Sequence, residues 1–193
     1  MNYLVHSYLS FSEEQIAGQF LQDFIRNSER FSFSEGIQQG IVLHRAIDTF
    51  TDQHPEIHLA KKLFSPLVRL YAGAFVDVAF DYFLANTLDE SSLKIHSQRV
   101  YQAFRNYESV FPEVGKKVLR KMAEDDWLFN YRYHWGINFS MKNVLNKARY
   151  LDKDLPVFEV FLAHQSELKS HFDVFFPELE QHILQWHQAL KLS

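Results

Sequence analysis

Apolar residues recur along most of this chain at intervals of three and four, the spacing that lines up one face of an α-helix. The pattern predicts helices near 12–27, 34–53, 55–64, 66–86, 91–109, 112–127, 137–149, 156–170 and 176–191. Pro55, Pro66, Pro112, Pro156 and Pro177 each stand where such a pattern could begin. There a missing N–H costs least. Ser12 with Gln15 three residues on reads as a capping box at the first helix. Asp89 or Ser91 is the expected start of the fifth. Alternating stretches such as Tyr3-Leu4-Val5 and Phe31-Ser32-Phe33 are too short to support a strand. No repeat, linker or low-complexity tract divides the chain. The expectation is therefore an all-α, single-domain helical bundle over residues 1–193.

Composition sharpens this picture. A domain of 193 residues buries roughly 70% of the surface its unfolded chain exposes. Nineteen Phe and nine Tyr point to a core filled by large rings, with Tyr hydroxyls at its rim. The absence of Cys excludes disulfides and thiolate chemistry and fits a reducing compartment. No apolar run reaches the roughly 20 residues needed to span a bilayer. The first residues carry no basic segment of the signal-peptide kind. A cytoplasmic protein without a membrane partner is expected.

A net charge of −4 argues against general nucleic-acid binding. Its distribution is uneven. Residues 1–96 hold seven Lys/Arg and twelve Asp/Glu, whereas residues 97–149 hold ten and five. That is either ordinary surface charge or an acidic site region followed by a basic docking face.

Candidate chemistry begins on the second predicted helix. Ile37, Ile41, His44, Asp48 and Asp52 follow one another at spacings of four, three, four and four, so they share a face. The two isoleucines turn that face inward, and His44 and Asp48 turn with it. A buried imidazole or carboxylate needs a partner. Taken alone, this pair is more simply a structural hydrogen bond. Other acids change the balance. Asp23 lies at the edge of the stripe formed by Ile16, Phe20, Leu21 and Phe24. Asp77 and Asp81 stand one turn apart among apolar neighbours, where two carboxylates repel and a cation would relieve them. With His6, these residues form a mixed His/Asp set suited to manganese, iron, zinc or magnesium. The competing reading pairs Asp77 and Asp81 with Arg45 or Arg69.

These residues also carry a family resemblance. The blocks are Asn2 to His6; Gly18-x-x-Leu21-x-Asp23-Phe24; Gly40-Ile41-x-x-His44-Arg45-x-Ile47-Asp48-x-x-Thr51-Asp52; and Asp77-Val78-x-x-Asp81-x-Phe83-Leu84. Trp127-Leu128-x-x-Tyr131-Arg132, Val144-Leu145-Asn146 and Phe175-Phe176-Pro177 continue the series. In this order they resemble the acyl carrier protein phosphodiesterases, a family similar to the HD-domain phosphohydrolases. One departure is clear: the chain contains no adjacent His-Asp pair, so His44 and Asp48 would have to act one turn apart.

The resemblance implies hydrolysis of the phosphodiester joining 4′-phosphopantetheine to a serine of holo-acyl carrier protein, with a divalent metal, manganese foremost. A bound metal lowers the pKa of water and withdraws charge from phosphoryl oxygens. The implied ligands are Asp23, His44, Asp48 and Asp77, with His6 and Asp81 ligating or supporting them. Arg45 is the candidate phosphate contact, or else a partner for a site carboxylate. His6 is the candidate general acid. The carrier is acidic, so Lys116, Lys117, Arg120 and Lys121 form a candidate docking ridge on the sixth predicted helix. Two rival functions are an HD-like hydrolase of a nucleotide or other small phosphate ester, and a non-enzymatic helical module. No Gly-rich phosphate loop or Gly-x-Ser-x-Gly is present.

Overall fold

A computed structural model describes residues 3–190, apart from the side chain of Asn27, so Asn2 of the first block lies outside the described residues. Among these the structure is all-α, without strands. The helices are α1 Tyr3–Tyr8, α2 Glu13–Leu21, α3 Glu35–Gln53, α4 Pro55–Val68, α5 Ala72–Thr87 and α6 Glu90–Asn106. They continue as α7 Glu113–Glu124, α8 Trp127–Asn130, α9 His134–Lys147, α10 Val157–Ala163 and α11 Gln165–Leu190. Short 3₁₀ turns lie at Asn27–Ser32, Arg69–Tyr71 and Glu108–Val110.

The chain forms two compact units. The first comprises residues 3–49 and 88–129, and the second residues 50–87 and 130–190. In the first unit α2 packs on α1 and α6, and α6 on α7. Phe20 is its ring centre, stacked on Tyr3 at 5.0 Å and edge-on to Phe104 at 4.5 Å. Two glycines set how closely α2 and α3 approach. A Cβ on Gly18 would lie 2.1 Å from the Ile37 carbonyl oxygen, and one on Gly40 would lie 2.4 Å from that of Gln15. Both helices would have to separate to admit even a methyl group, so these glycines place the first half of α3 against α2. In the second unit α4, α5 and α11 pack on one another. Phe80 sits against Phe172 and Phe175 there, and Phe64 stacks on Phe75.

Several local expectations change. Tyr3-Leu4-Val5 is helical; such a short helix is held by burial of Leu4 and Val5 rather than by propensity. The predicted helix over 12–27 stops at Leu21, where bonds from Asp23 N to Phe20 O and from Phe24 N to Leu21 O tighten the chain into turns. Half of the expected capping box forms. Ser12 accepts from Gln15 N, but the Gln15 side chain reaches one residue farther back, to Phe11 N. Asp89, not Ser91, caps α6 by accepting from Ser92 N.

Two prolines continue a helix instead of starting one. Pro66 lies in the last turn of α4. Its missing N–H would have reached Lys62 O, and the Ser65 hydroxyl donates to that oxygen instead at 3.3 Å. The break falls at Arg69, whose φ is 51°. Pro177 lies within α11, and the preceding break is at His164. Residues 55–87 include a window apolar enough to cross a membrane by length and composition, which a core helix of a soluble protein also satisfies. The helix is interrupted at Arg69 within that stretch, and α5 buries most of its apolar side chains.

Candidate metal centre

The short helix α1 carries His6 into the first unit, and α3 carries His44 and Asp48 one turn apart. His6 is buried, His44 half-buried, and the Asp48 side chain 54% exposed. His6 Nε2 lies 3.4 Å from Asp48 Oδ1, and His44 Nε2 lies 3.1 Å from Asp48 Oδ2. The two imidazoles stack with centroids 4.3 Å apart. One ligand atom from each of the three residues falls within 4.8 Å of the others, close enough to converge on one ion.

The hydrogen bonds behind His6 decide what it offers. Gln19 is buried, and its Nε2 donates to the His6 carbonyl oxygen at 2.5 Å and to Ser10 Oγ at 2.6 Å. Both amide protons are thereby used, and Ser10 Oγ itself donates to the His6 carbonyl at 3.1 Å. Gln19 Oε1 must then face His6 Nδ1, 2.7 Å away, and accept its proton. In the neutral ring that leaves a lone pair on Nε2, directed at a carboxylate. Two acceptors facing each other at 3.4 Å repel unless a proton or a cation lies between them. His44 adds a related strain: its Nδ1 is buried without a hydrogen-bond partner.

Asp48 responds to the same neighbours. Burial pushes its carboxyl upward, but when the His44 and His6 rings are protonated their hydrogen bonds and charges outweigh burial and hold it well below the usual carboxylate range. An ionised carboxylate and two imidazole nitrogens form a donor set suited to a first-row divalent cation. The buried amide behind His6 is the kind of outer partner that fixes ligand orientation in metal sites.

The converging group consists of His6, His44 and Asp48, and each of the other sequence candidates is described by its own surroundings. Asp23 is exposed in the turns after α2. Asp77 is half-buried and Asp81 is buried, both on α5 of the second unit. Asp52 is exposed and pairs with Lys61 at 3.1 Å. Arg45 is half-buried and donates from Nη2 to Gln22 Oε1 at 3.1 Å. On α7, Lys116 pairs with Glu113, Arg120 with Glu108 and Lys121 with Asp125. Gln19 and Ser10 were not singled out from sequence. A signal existed for Gln19, which stands one turn from Gln15 on a helix whose remaining core residues are apolar.

Not every half-buried histidine here is of this kind. His96 contacts the Ser7 hydroxyl at 3.0 Å, and that hydroxyl donates to Leu4 O. Desolvation, with the charge of Arg99, pushes the His96 pKa down to about 4, so it remains neutral and holds α6 to α1.

An all-helical protein with a two-histidine, one-aspartate cluster of this type belongs among candidate metal-dependent hydrolases. Comparison with known proteins narrows the class. Residues 1–179 match the family model described as acyl carrier protein phosphodiesterase, and the chain belongs to that family. It is 27% identical over 184 residues to proteins named acyl carrier protein phosphodiesterase from Shigella boydii serotype 18 and Escherichia coli O157:H7 strain EC4115. The same identity holds for the so-named protein of Escherichia coli strain K12 / DH10B. Each alignment covers 93% of this chain and 95% of the relative. No solved structure matches, so the likeness to HD-domain proteins rests on the sequence resemblance alone.

Proposed function

We propose that this protein hydrolyses the phosphodiester between 4′-phosphopantetheine and the serine of holo-acyl carrier protein in the cytoplasm, releasing apo-carrier protein and 4′-phosphopantetheine. Family membership over residues 1–179 carries the substrate. The convergence of His6, His44 and Asp48 carries the metal chemistry. These three side chains would hold a divalent cation, manganese foremost, with iron, magnesium or zinc as alternatives. When bound, such a cation makes water a competent nucleophile at neutral pH and draws charge from the phosphoryl oxygens.

The hydrogen-bond pattern supports a different role for His6. His6 gives its Nδ1 proton to Gln19, and its Nε2 lone pair faces Asp48. It therefore suits a ligand better than a general acid. Arg45, three residues before Asp48 on α3, is the proposed phosphate contact; its bond to the neutral Gln22 amide leaves its positive charge unspent there. The roles of Asp23 and Asp77 as further ligands, and of Asp81 in catalysis, rest on the family resemblance. Asp→Asn variants of each test those roles by metal titration. Lys116, Lys117, Arg120 and Lys121 are the ridge that the sequence alone offers for the carrier, and three of the four are paired with acids of their own chain.

The test is intact-mass spectrometry of holo-carrier protein incubated with the enzyme. Loss of the phosphopantetheine mass is expected with manganese, no loss after chelation, and recovery when metal returns. Full turnover by a verified metal-free preparation would defeat the metal reading. No turnover under any metal would defeat the substrate reading.

A further inference from the structure

We propose that α9 and the turn that follows it, not α7, form the face that receives the acidic carrier protein. This rests on the substrate reading above and extends it to a surface. Residues 127–151 contain Arg132, Lys142, Lys147 and Arg149 and no acid, the flanking acids being Asp126 and Asp152. Lys142, Lys147 and Arg149 are exposed, and none forms an ion pair among the described residues. Lys153, just beyond, spends its ammonium on the carbonyls of Leu145, Asn146 and Ala148 and so closes the C-terminal end of α9.

The apolar pattern of α9 is two-sided. Ile137, Met141, Leu145 and Ala148 make the buried stripe. The opposite stripe, by helical spacing, is Trp135, Phe139, Lys142 and Asn146. Trp135 is 61% exposed and Phe139 47%. Tyr133 stacks nearly parallel on Trp135 with centroids 6.1 Å apart, and the Arg132 guanidinium lies over Tyr133. At the far end Tyr150 is 78% exposed beneath Arg149. Exposed aromatic anchors beside Lys142, Lys147 and Arg149, which hold no acidic partner among the described residues, match an acidic protein surface. The aromatics supply contact area, and the cations supply attraction and register. On α7, by contrast, three of the four ridge cations already hold carboxylates of their own chain.

The experiment measures binding of apo-carrier protein, which cannot be turned over, to the metal-loaded enzyme by fluorescence anisotropy at low and high salt. Trp135→Ala with Phe139→Ala should raise Kd by at least about tenfold. Lys142→Glu with Lys147→Glu should raise Kd at low salt and flatten its salt dependence. Lys117→Glu with Lys121→Glu should change little. All substituted side chains are exposed, and circular dichroism checks that the helices persist. The proposal is overturned if the α9 variants bind as wild type does or if the α7 pair carries the loss. It is also overturned if sedimentation shows the aromatic face holding two copies together, or if anionic vesicles bind this face while carrier protein does not. Turnover of holo-carrier, scored separately, keeps the two readings apart. Cleavage with unchanged α9-variant Kd defeats only the docking face. Binding that depends on α9 without cleavage defeats only the enzymatic reading.

Discussion

Each unit of the molecule brings histidines to carboxylates, and the two arrangements differ in which atoms face each other. In the second unit His54 accepts the Glu56 N–H at Nδ1, so its Nε2 proton points at Glu178, 3.1 Å away. His171 meets Glu56 through Nδ1 at 2.6 Å. The His54 contact thus pairs a donor with an acceptor, and His171 can do the same by carrying its proton on Nδ1, so neither contact needs a cation. In the first unit the Gln19 amide uses the Nδ1 proton of His6, and the remaining lone pair faces an ionised Asp48. The residue types are alike. The hydrogen bond on the far side of each ring decides whether the near side is satisfied or needs a cation.

The sharpest way to break this contrast is to remove the shared carboxylate. Asp48→Asn should weaken divalent-metal affinity by more than about a hundredfold, the upper end of what outer partners contribute, and abolish turnover with it. Glu178→Gln in the second unit should leave both unchanged. Isothermal titration with manganese reads the affinity directly. If Asp48→Asn binds metal as tightly as wild type, or Glu178→Gln loses it, the two clusters have been assigned to the wrong roles.

How much of this could be read from the chain depends on the distance over which each signal acts. The helical class and the one-turn pair His44/Asp48 follow from spacings of three and four, whereas the sequence leaves Asp89 and Ser91 open as the α6 cap. His6 is legible through its residue type, with the family resemblance in support, because the segment around it is too short to show a helical period. The role of Gln19 is not legible in the sequence because its partners, His6 and Ser10, lie thirteen and nine residues away, beyond any local pattern. Asp23 stands at the edge of a predicted helical stripe that the structure ends at Leu21. The basic ridge on α7 shows the same limit. Lys116–Glu113 and Lys121–Asp125 are visible as near neighbours in sequence, but Arg120–Glu108 spans twelve residues. Only three-dimensional pairing reveals that most of that charge is already matched.

A finer test leaves the ligands in place and alters what holds them. Gln19→Leu keeps the approximate volume but removes the acceptor for His6 Nδ1 and two donors. The His6 tautomer is then unfixed, and metal affinity should fall by about 10- to 100-fold with the triad intact. The readout is again titration of the metal alone, with no dependence on substrate. Thermal unfolding without metal tells orientation from general damage. A variant that loses stability but binds metal normally would make Gln19 a packing residue only.

The smallest effect belongs to the complete cluster. His54 is the N-cap of α4, accepting from Glu56 N at 3.2 Å, and its ring meets Phe175 edge-on at 5.0 Å. Its pair with Glu178 adds little, because that glutamate side chain is 60% exposed and solvent screens it. Removing a capping acceptor costs about 0.5–2 kcal/mol, so His54→Ala should lower stability by about 1 kcal/mol, with part of the loss coming from the ring contact. His54→Asn keeps a good capping acceptor without the ring and should recover the capping share. For a chain of this length the shift in Tm is only about 2–4 °C per kcal/mol, so the denaturant midpoint is the better measurement. Manganese affinity should match wild type in both variants. A loss of metal on His54→Ala would show that the second cluster also bears on the cation, and the contrast between the two units would no longer hold.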